Sequence, residues 1–540
     1  MHHAKTRPVL VVGAGPTGLT AAVELSRLGV GVRIIDRAAG PTVTSKALAV
    51  QARTIELLEP RGVGEALLNQ GTKARAATLY GRGKKLAAVQ LDRISSRING
   101  VVLLPQSETE RLLYEQLRRQ GVEVERGCEL VSFAQNADDP ESGVQAVLKD
   151  ADGKEELVDA AYLISAQGSH SSVREELGIA FDGNAGTQRY MLADLHLDAD
   201  VPDDELSIFL AADGFLAVFP LGGQRFRLMT TDVERRGPDS AVPTLEELQQ
   251  VVDRVAALPI RLHDMGWSSR FFINSRHAAT LRVGDVFLGG DAAHIHSPAG
   301  GQGMNTGIQD MINLCWKLAL VLQGRAKPAL LDTYQADRLP LISTLIKTTE
   351  TATRAFNSTN PIVHQLITRI APIALATERV QNQATAVLGQ TSVNYRESPL
   401  TQAGARIGRL HAGDRIPDVD VRVRAGAEPP TARLRRLHEL LDLARPTLLV
   451  TDARADIAAT MERLEPWRDL LTLRQVTVVA HQPALCGNDV RIAADLAAHP
   501  SVLLVRPDGY VAAIAPITAE PTALAGWLDR WFIARQAAAC

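Results

Sequence analysis

The sequence predicts a mixed α/β fold with several domains, and three observations support this prediction. A βαβ pattern with a glycine-rich turn occupies residues 8–36. Short alternating segments joined by turns fill residues 188–275, which is typical of an antiparallel sheet. Strands and helices alternate again from residue 418 onward. A chain of 540 residues has room for about two to four such domains.

Composition excludes several classes of function. The formal net charge is −3, so a nucleic-acid partner is not indicated. No apolar stretch is long enough to span a bilayer, and the apolar run Val9–Val12 leads directly into glycines, which predicts a buried strand and not a signal peptide. The four cysteines are scattered without metal-ligand or disulfide spacing. We therefore expect a cytoplasmic protein with no membrane span and no metal site.

The first βαβ unit carries a complete dinucleotide-binding fingerprint. The strand Val9–Val12 ends in Gly-Ala-Gly-Pro-Thr-Gly, an amphipathic helix follows, and a second strand ends at Asp36. In this pattern Gly13 makes the tight turn, Gly15 lets the backbone approach a pyrophosphate, and Gly18 lets helix and strand pack closely. Asp36 is placed to accept a hydrogen bond from a ribose hydroxyl. The fingerprint alone does not separate NAD from FAD.

A second glycine-rich stretch lies at residues 289–318. It follows the apolar run Val286–Leu288, carries Asp291, and contains a loop with Gly301 and Gly303 that opens a helix. Such a loop presents unpaired backbone N–H groups and the positive end of a helix dipole to an anion. We predict that this stretch and the N-terminal fingerprint close over the same ligand.

Two further segments lie between these motifs. Ser107 and Glu110 have the spacing of a capping box, which predicts a helix that begins there with Gln106 just before it. The predicted strand at residues 162–164 ends in a polar segment that reads Gln-Gly-Ser-His-Ser-Ser-Val-Arg from Gln167.

Together, these motifs resemble the single-component FAD-dependent aromatic hydroxylases, a group that includes phenol hydroxylases and polyketide-tailoring hydroxylases. The fingerprint with Asp36, Gln106, the Gly-Ser-His-Ser-x-Val-Arg segment and the stretch GGDAAHIHSPAGGQGMN carry the resemblance, which covers roughly residues 8–345. It implies an α/β protein with a Rossmann-like FAD-binding domain, an inserted antiparallel-sheet substrate domain, and a C-terminal thioredoxin-like domain. The implied FAD-binding domain comprises residues 1–72, 101–181 and 272–345, the substrate domain 73–100 and 182–271, a helical connection 346–400, and the thioredoxin-like domain 401–540.

The resemblance also implies the cofactor site. Gln106 would bind the ribityl chain, and the loop from Pro298 to Asn305 would lie along the isoalloxazine ring, where helix N–H groups stabilise the charge of reduced flavin. Pro298, Gly301 and Gly303 would thus be nearest to the chemistry, although no acid–base pair stands out. The implied cofactor-binding residues are Gly13, Gly15, Pro16, Thr17, Gly18, Asp36, Arg37, Lys46, Gln106, Gly168, Asp291, Pro298, Gly301, Gly303, Met304 and Asn305.

Two positions depart from the family pattern. Lys46 stands where the family usually has arginine, so the charge is kept but the planar fork is lost. Gln167 stands where the family has aspartate, and a neutral amide there puts productive NAD(P)H binding in question. His294 and His296 are expected to be structural, because no third ligand accompanies them.

The resemblance implies an FAD-dependent monooxygenase that uses NADPH or NADH and O₂ to hydroxylate a phenolic or polycyclic, polyketide-like substrate through a flavin C4a-hydroperoxide. Baeyer–Villiger oxygen insertion, an FAD- and ligand-binding protein with impaired reduction, and a flavin dehydrogenase are the alternatives. Candidate pocket residues are Phe209, Phe219, Met229 and Trp267.

The C-terminal region is predicted to contain helices near residues 431–444 and 521–534, with a hairpin turn at Pro507–Gly509. It has no Cys-x-x-Cys motif, so it is expected to brace the structure or to form a homodimer contact.

Overall fold

A computed structural model of the chain describes residues 7–42, 47–135, 143–211, 214–232, 241–297, 300–358, 360–423, 434–517 and 522–535. None of the helices in these ranges is both long enough and apolar enough to cross a membrane. The fold is mixed α/β. In chain order the helices are α1 (Pro16–Arg27), α2 (Ala52–Leu58), α3 (Gly64–Gln70), α4 (Gln106–Arg119), α5 (Ser172–Glu176), α6 (Leu245–Val255), α7 (Gly303–Leu322), α8 (Thr333–Phe356), α9 (Pro361–Gln365), α10 (Ala371–Leu375), α11 (Glu378–Leu388), α12 (Ala458–Arg463), α13 (Gly487–Ala498) and α14 (Thr522–Trp531).

A mainly parallel sheet with one antiparallel edge strand, here called the nucleotide sheet, is built around the first predicted strand. That strand pairs on one side with the strand that ends at Asp36 and on the other with the strand that precedes Gln167. Its four side chains are all buried, which explains why the sequence there is an uninterrupted apolar run. The strands in spatial order are Arg282–Val283, Val286–Leu288, Tyr162–Ser165, Val9–Val12, Val32–Asp36 and Val124–Arg126.

A second sheet, here called the wide sheet, contains the alternating segments predicted from the sequence. Its neighbouring strands are antiparallel except for the parallel pair Ala76–Gly81 and Glu205–Ala211, so residues 76–90 extend the sheet. The strands in spatial order are His294–Ile295, Arg261–Ala278, Phe181–Asp198, Arg225–Thr231, Gly214–Gly222, Glu205–Ala211, Ala76–Gly81 and Lys84–Gln90.

Smaller sheets flank these two. One orders the strands Ala49–Val50, Val101–Leu103 and Thr72–Ala74, and packs beside the wide sheet at Gly214–Gly222. A hairpin turns around Asp152-Gly153. It forms a sheet of Glu155–Ala160, Val144–Lys149 and Glu129–Gln135, and a further short pair joins Arg406–Ile407 to Leu410–His411.

The last sheet, here called the C-terminal sheet, alternates with α12, α13 and α14. The predicted hairpin is present, because Ser501–Val505 and Val511–Pro516 pair in antiparallel fashion. The predicted helix near residues 431–444 is wrong where the chain is described: Leu434–Arg436 is a strand that pairs with Asp420–Val423, and a 3₁₀ turn follows. The spatial order is Leu434–Arg436, Asp420–Val423, Thr472–Val478, Thr447–Val450, Ser501–Val505 and Val511–Pro516.

The predicted capping box at Ser107 and Glu110 is also wrong. Helix α4 begins at Gln106, and Pro105 occupies the N-cap position, two residues before the predicted N-cap Ser107. Glu110 instead accepts a hydrogen bond from the Gln106 side-chain amide, with Nε2 and Oε1 2.8 Å apart. Proline has no side-chain acceptor, so this helix starts without a side-chain cap.

Candidate functional site

The start of α1 forms an open cradle at the carboxyl end of the nucleotide sheet. A Cβ at Gly13, whose φ is +103°, would lie 2.4 Å from the carbonyl oxygen of Ala166, and one at Gly18 would lie 1.8 Å from the carbonyl oxygen of Gly13. Within the described chain, a Cβ at Gly15 would meet no atom within 4 Å. Two glycines are therefore required by the protein's own packing, whereas the third leaves space for a ligand beside the helix dipole.

Asp36 closes the outer edge of this cradle. Its Oδ2 accepts a hydrogen bond from the backbone N–H of Ala14 at 2.7 Å, and its Oδ1 accepts from Ala38 at 2.8 Å. The Arg126 guanidinium lies 3.6 Å from Oδ2. The carboxylate is thus fixed next to the glycine turn and keeps part of its surface accessible.

Helix α7 reaches the same cradle. A Cβ at Gly290 would lie 2.3 Å from the Thr17 hydroxyl, and a Cβ at Gly307 would lie 2.4 Å from the same oxygen. The first turn of α1, the turn after Val286–Leu288 and the second turn of α7 are therefore in direct contact. The two glycine-rich motifs are therefore in contact, and their closing over one ligand stays a prediction.

The loop that opens α7, here called the glycine loop (residues 300–305), is held by side chains from two directions. The Gln51 side chain donates to the carbonyl oxygen of Gly300 at 2.8 Å, and its backbone N–H donates to Asn305 Oδ1 at 2.9 Å. Asn305 Nδ2 donates to the carbonyl oxygens of Ala49 and Gly301, both at 2.8 Å. These bonds fix the glycine loop against the start of α2.

Gln106 extends this contact region. Its Oε1 accepts from the backbone N–H of Ala47 at 3.3 Å, while its backbone N–H donates to the carbonyl oxygen of Ala47 at 3.1 Å. Arg227 of the wide sheet donates to that same Ala47 carbonyl at 3.3 Å. Gln106, the glycine loop and the wide sheet therefore meet around residues 47–51.

Accessible surface separates the predicted cofactor residues into two groups, because a residue that touches a ligand must be accessible when the ligand is absent. Gly18, Met304 and Asn305 are buried and support the cradle from behind. Lys46 and Pro298 lie outside the described residues. The predicted residues with accessible surface are Gly13, Gly15, Pro16, Thr17, Asp36, Arg37, Gln106, Gly168, Asp291, Gly301 and Gly303.

Gln167 turns its side chain toward α5. Its Oε1 accepts from the Ser171 hydroxyl at 3.0 Å and from the backbone N–H of Val173 at 3.2 Å, and its Nε2 donates to Ser172 at 2.9 Å. Ser171 also caps the helix by accepting from Arg174. The Gln167 amide therefore pairs with polar groups at the start of α5, which gives it a structural role.

A buried acid that the sequence reasoning missed lies behind the glycine loop. Asp310 of α7 accepts from Gly290 N–H at 3.1 Å, from His294 Nε2 at 2.7 Å and from Arg338 Nε at 2.7 Å. Burial alone would raise the pKa of Asp310, but Arg338 and His294 lower it below its ordinary value. The sequence alone does not single out Asp310, because its helix also carries Asn313 and Lys317. In the structure every residue of this helix from 304 to 320 is buried.

His296 lies on the other side of the loop. Burial lowers its pKa to about 4, and its Nδ1 is 2.8 Å from the carbonyl oxygen of Ser297. Its Nε2 would lie 3.7 Å from a Cβ at Gly303. The imidazole is therefore neutral near pH 7 and packs against the first residue of α7. His294 and His296 thus both support the loop, as expected from the sequence.

The wide sheet presents two different faces, which we call the helix face and the aromatic face. The helix face is covered by α6 and is dry, with Phe209, Leu216 and Leu228 buried against Leu248. Phe209 also stacks on Tyr80, with ring centroids 4.8 Å apart. The predicted pocket groups Phe209 with Phe219, Met229 and Trp267, but Phe209 lies on the helix face and the other three lie on the opposite face. Side chains alternate between the two faces of a sheet, so Phe209 cannot share a pocket with them.

The aromatic face carries the other three predicted pocket residues together with two that the sequence reasoning missed, Phe215 and Phe271. Phe215, Phe219, Trp267 and Phe271 keep part of their surface accessible. Phe219 also packs against the core that contains the nucleotide sheet. A set of partly exposed aromatic rings on one face of a sheet is suited to a planar apolar ligand.

Polar groups close the two ends of the aromatic face. At one end Arg227 pairs with Asp194, Nε to Oδ1 at 2.6 Å, and lies 5.7 Å from the Trp267 ring. At the other end the Asn357 side-chain amide, just after α8, donates to the Tyr190 hydroxyl. Among the described residues no group of His, Cys, Asp or Glu side chains is arranged to hold a metal ion.

Two family models match the chain. The model described as "FAD binding domain" matches residues 6–349, and the model described as "Aromatic-ring hydroxylase, C-terminal" matches residues 410–534. The first match covers the nucleotide sheet, the wide sheet and α7.

Curated relatives and a solved structure are similar over nearly the whole length. The chain is 36% identical over 525 residues to 6-methylpretetramide 4-monooxygenase from Streptomyces rimosus, covering 94% of this chain and 90% of the relative. It is 33% identical over 475 residues to pentachlorophenol 4-monooxygenase from Sphingobium chlorophenolicum, covering 86% of this chain and 82% of the relative. The structure of the anhydrotetracycline hydroxylase OxyS from Streptomyces rimosus superposes with a TM-score of 0.76 at 29% identity, covering 97% of this chain and 99% of that chain.

Proposed function

Because the chain belongs to the family of FAD-dependent aromatic-ring hydroxylases, we propose that it inserts one oxygen atom from O₂ into a phenolic or polycyclic aromatic substrate at the expense of NAD(P)H. One observation carries this proposal: the two glycine-rich motifs meet at one cradle. The partly exposed rings of the aromatic face, whose Arg227 contacts Ala47, support an aromatic substrate. Bound FAD would supply the electron transfer and the activation of oxygen.

The residues of the cradle fit the adenosine ribose, the pyrophosphate and the ribityl chain of FAD. Gly13, Gly15 and Thr17 would receive the pyrophosphate at the start of α1, and Asp36 would accept from the adenosine ribose. The open space beside Gly15 supports this assignment. Gln106 would bind the ribityl chain.

The glycine loop would bind the isoalloxazine ring. The N–H groups at the start of α7 would stabilise negative charge on the reduced ring, since the helix dipole adds to their effect. Among the described residues, no side chain caps this helix start, which leaves these donors for a ligand. Lys46 and Pro298 are proposed as members of this site from the sequence alone.

The substrate would lie between the glycine loop and the aromatic face. Phe219 and Trp267 would contact its rings, and Met229 would pack behind them. The two relatives are named for 6-methylpretetramide and for pentachlorophenol, which supports a polycyclic or phenolic substrate here. This arrangement holds the substrate ring next to the cofactor and excludes water by apolar contact.

The finer architecture is also part of the proposal. The nucleotide sheet and its helices would form the FAD-binding domain, the wide sheet the inserted substrate domain, and the C-terminal sheet a thioredoxin-like domain with the boundaries given by the sequence. Because NAD(P)H is supplied inside the cell, a cytoplasmic location fits this reaction.

The test begins with FAD binding. The purified protein should carry yellow FAD, and an aromatic substrate should raise its rate of NADPH or NADH oxidation while the product gains one atom from labelled O₂. Gly15→Ala places a methyl group where no protein atom lies within 4 Å, so the protein should fold but bind FAD at least about tenfold more weakly. Protein without FAD, or unlabelled product, would reject the proposal.

Gly526→Ala is the matched control. Gly526 in α14 also has no described atom within 4 Å of an added Cβ, and it lies outside the cradle. This variant should bind FAD like the wild type. If both alanine variants weaken FAD binding equally, the cradle is not at Gly15.

A further inference from the structure

A hairpin of the C-terminal sheet reaches into the region behind the glycine loop. Its tip, residues 506–510, contains three polar or charged side chains that are almost completely buried: Arg506, Asp508 and Tyr510 are 1%, 2% and 2% exposed. Buried charges are stable only with partners. The hydrogen-bond and ion-pair partners of these side chains therefore show which elements the hairpin contacts.

Arg506 connects the tip to α7 and α8. Its Nη2 is 2.7 Å from Asp337 Oδ2, and its Nε is 3.0 Å from Asp508 Oδ1. Asp337 in turn accepts from Asn313 at 2.9 Å and from Lys317 at 2.8 Å, both on α7. The hairpin thus anchors the second half of α7 through fully buried ion pairs.

A second connection runs from the tip toward the start of α7. The Arg506 guanidinium lies 4.8 Å from the Tyr395 ring, which packs on Tyr510 with centroids 4.3 Å apart. The Tyr395 hydroxyl accepts from Arg338 Nη1 at 3.0 Å. Tyr395 is therefore placed between the C-terminal hairpin and Arg338.

Arg338 carries this contact to the glycine loop. It donates to Asp310 at 2.7 Å and to the carbonyl oxygen of Thr306, in the first turn of α7, at 3.1 Å. Asp310 holds Gly290 and His294, which flank Asp291. The network therefore ends at the first turn of α7 and at the segment around Asp291, and both are proposed to border the isoalloxazine ring.

We propose that the C-terminal hairpin is a functional part of the flavin site, in which Arg506 and Tyr395 act as positioning residues that hold Arg338 and Asp310 in place and so set the geometry of the glycine loop. This inference rests on the proposed function. In this proposal the C-terminal sheet affects FAD binding, in addition to any role in dimer formation. In a packed interior each side chain of such a network has few alternative positions, so a change at Arg506 or Tyr395 shifts the side chains that they contact.

Tyr395→Phe tests this inference, because it removes only the hydroxyl that Arg338 binds. The apoprotein should bind FAD roughly three- to tenfold more weakly, and the visible circular dichroism of the bound flavin should change. Tyr114→Phe is the matched control, since it removes a hydroxyl that donates to Glu123 at 2.7 Å near the surface. The control should leave both measurements at their wild-type values.

Arg506→Lys provides a second variant if Tyr395→Phe does not fold. It keeps the charge but loses the forked contacts with Asp337 and Asp508, so it should change FAD affinity and the dichroism in the same direction. The loss of FAD affinity in the double variant should be smaller than the product of the fold-changes of the two single variants, because both act through Arg338.

The outcomes are distinct. A lower melting temperature of the apoprotein with wild-type FAD affinity and dichroism would mean that the hairpin only stabilises the fold, and would overturn the inference. Multiplicative effects in the double variant would also overturn it. A wild-type apoprotein that binds no FAD would instead reject the proposed function itself.

Discussion

The two faces of the wide sheet have similar strands but different surroundings. The helix face is sealed by α6, and its large side chains are buried, with Phe209 only 1% exposed. The aromatic face leaves Phe215, Phe219, Trp267 and Phe271 partly exposed. Both faces are apolar, so hydrophobicity does not identify a binding surface; incomplete burial does.

The largest effect should come from the helix face. Phe209→Ala should reduce stability by about 3–5 kcal/mol, because it leaves a cavity beneath Tyr80 and α6. We expect a clear fall in the apparent melting temperature with little change in substrate affinity. Phe215→Ala on the aromatic face is the control and should cost much less stability. Equal losses would show that the two faces are equally packed.

Acid should destabilise the region around His296, which packs against the first residue of α7. The pKa of His296 is about 4 in the folded protein and about 6.5 when unfolded, so between these values the unfolded chain binds more protons. Stability is therefore fully present above about pH 6.5 and falls as the pH is lowered toward 4, by at most about 3 kcal/mol.

Melting temperatures measured from pH 7 to 4 would check this prediction. His296→Asn removes the titrating group and should flatten the curve in that window. A variant with the same pH dependence as the wild type would place the acid-sensitive group elsewhere.

The aromatic face should control ligand binding. Trp267→Ala should weaken binding of an aromatic substrate by about 2 kcal/mol, or roughly thirtyfold, because a large contact surface is lost. Perturbation of the flavin absorption spectrum by added substrate would measure it. Trp267→Phe keeps an aromatic ring and should recover most of the affinity. Unchanged affinity in the alanine variant would remove Trp267 from the pocket.

The smallest effect on stability concerns α6, the helix that packs on the helix face. Thr244 and Glu247 form a complete capping box at the start of α6. Thr244→Ala should cost about 1 kcal/mol and lower the apparent melting temperature slightly, without changing substrate affinity. Thr377, which precedes α11 without capping it, is the matched control. A change in substrate affinity would mean that α6 contributes to the pocket.

The N-terminal cradle was predictable because its signal is local. Gly13, Gly15, Gly18 and Asp36 lie within one βαβ unit, and each has a separate geometric reason to be there. The alternation of the wide sheet was equally clear. The face to which Phe209 belongs was not, because both faces are apolar and period-two patterns do not say which one a helix will cover.

The support behind the glycine loop was not predictable for a different reason. Asp310, Arg338, Tyr395 and Arg506 are far apart in sequence, and each is an ordinary polar residue within its own segment. Only the tertiary fold brings them together. The helix expected near residues 431–444 failed similarly, since pairing of Leu434–Arg436 with Asp420–Val423 overrode the local pattern.

The contact between Arg506 and Asp337 also constrains the order of events during synthesis. The two residues are separated by 169 positions, so at cellular rates of elongation roughly 8–34 s pass between their additions to the chain. Throughout that interval the nascent chain carries Asp337 without one of the cations that will surround it. The first half of the protein can collapse early, but α7 and α8 reach their final charge balance only when the hairpin emerges from the ribosome.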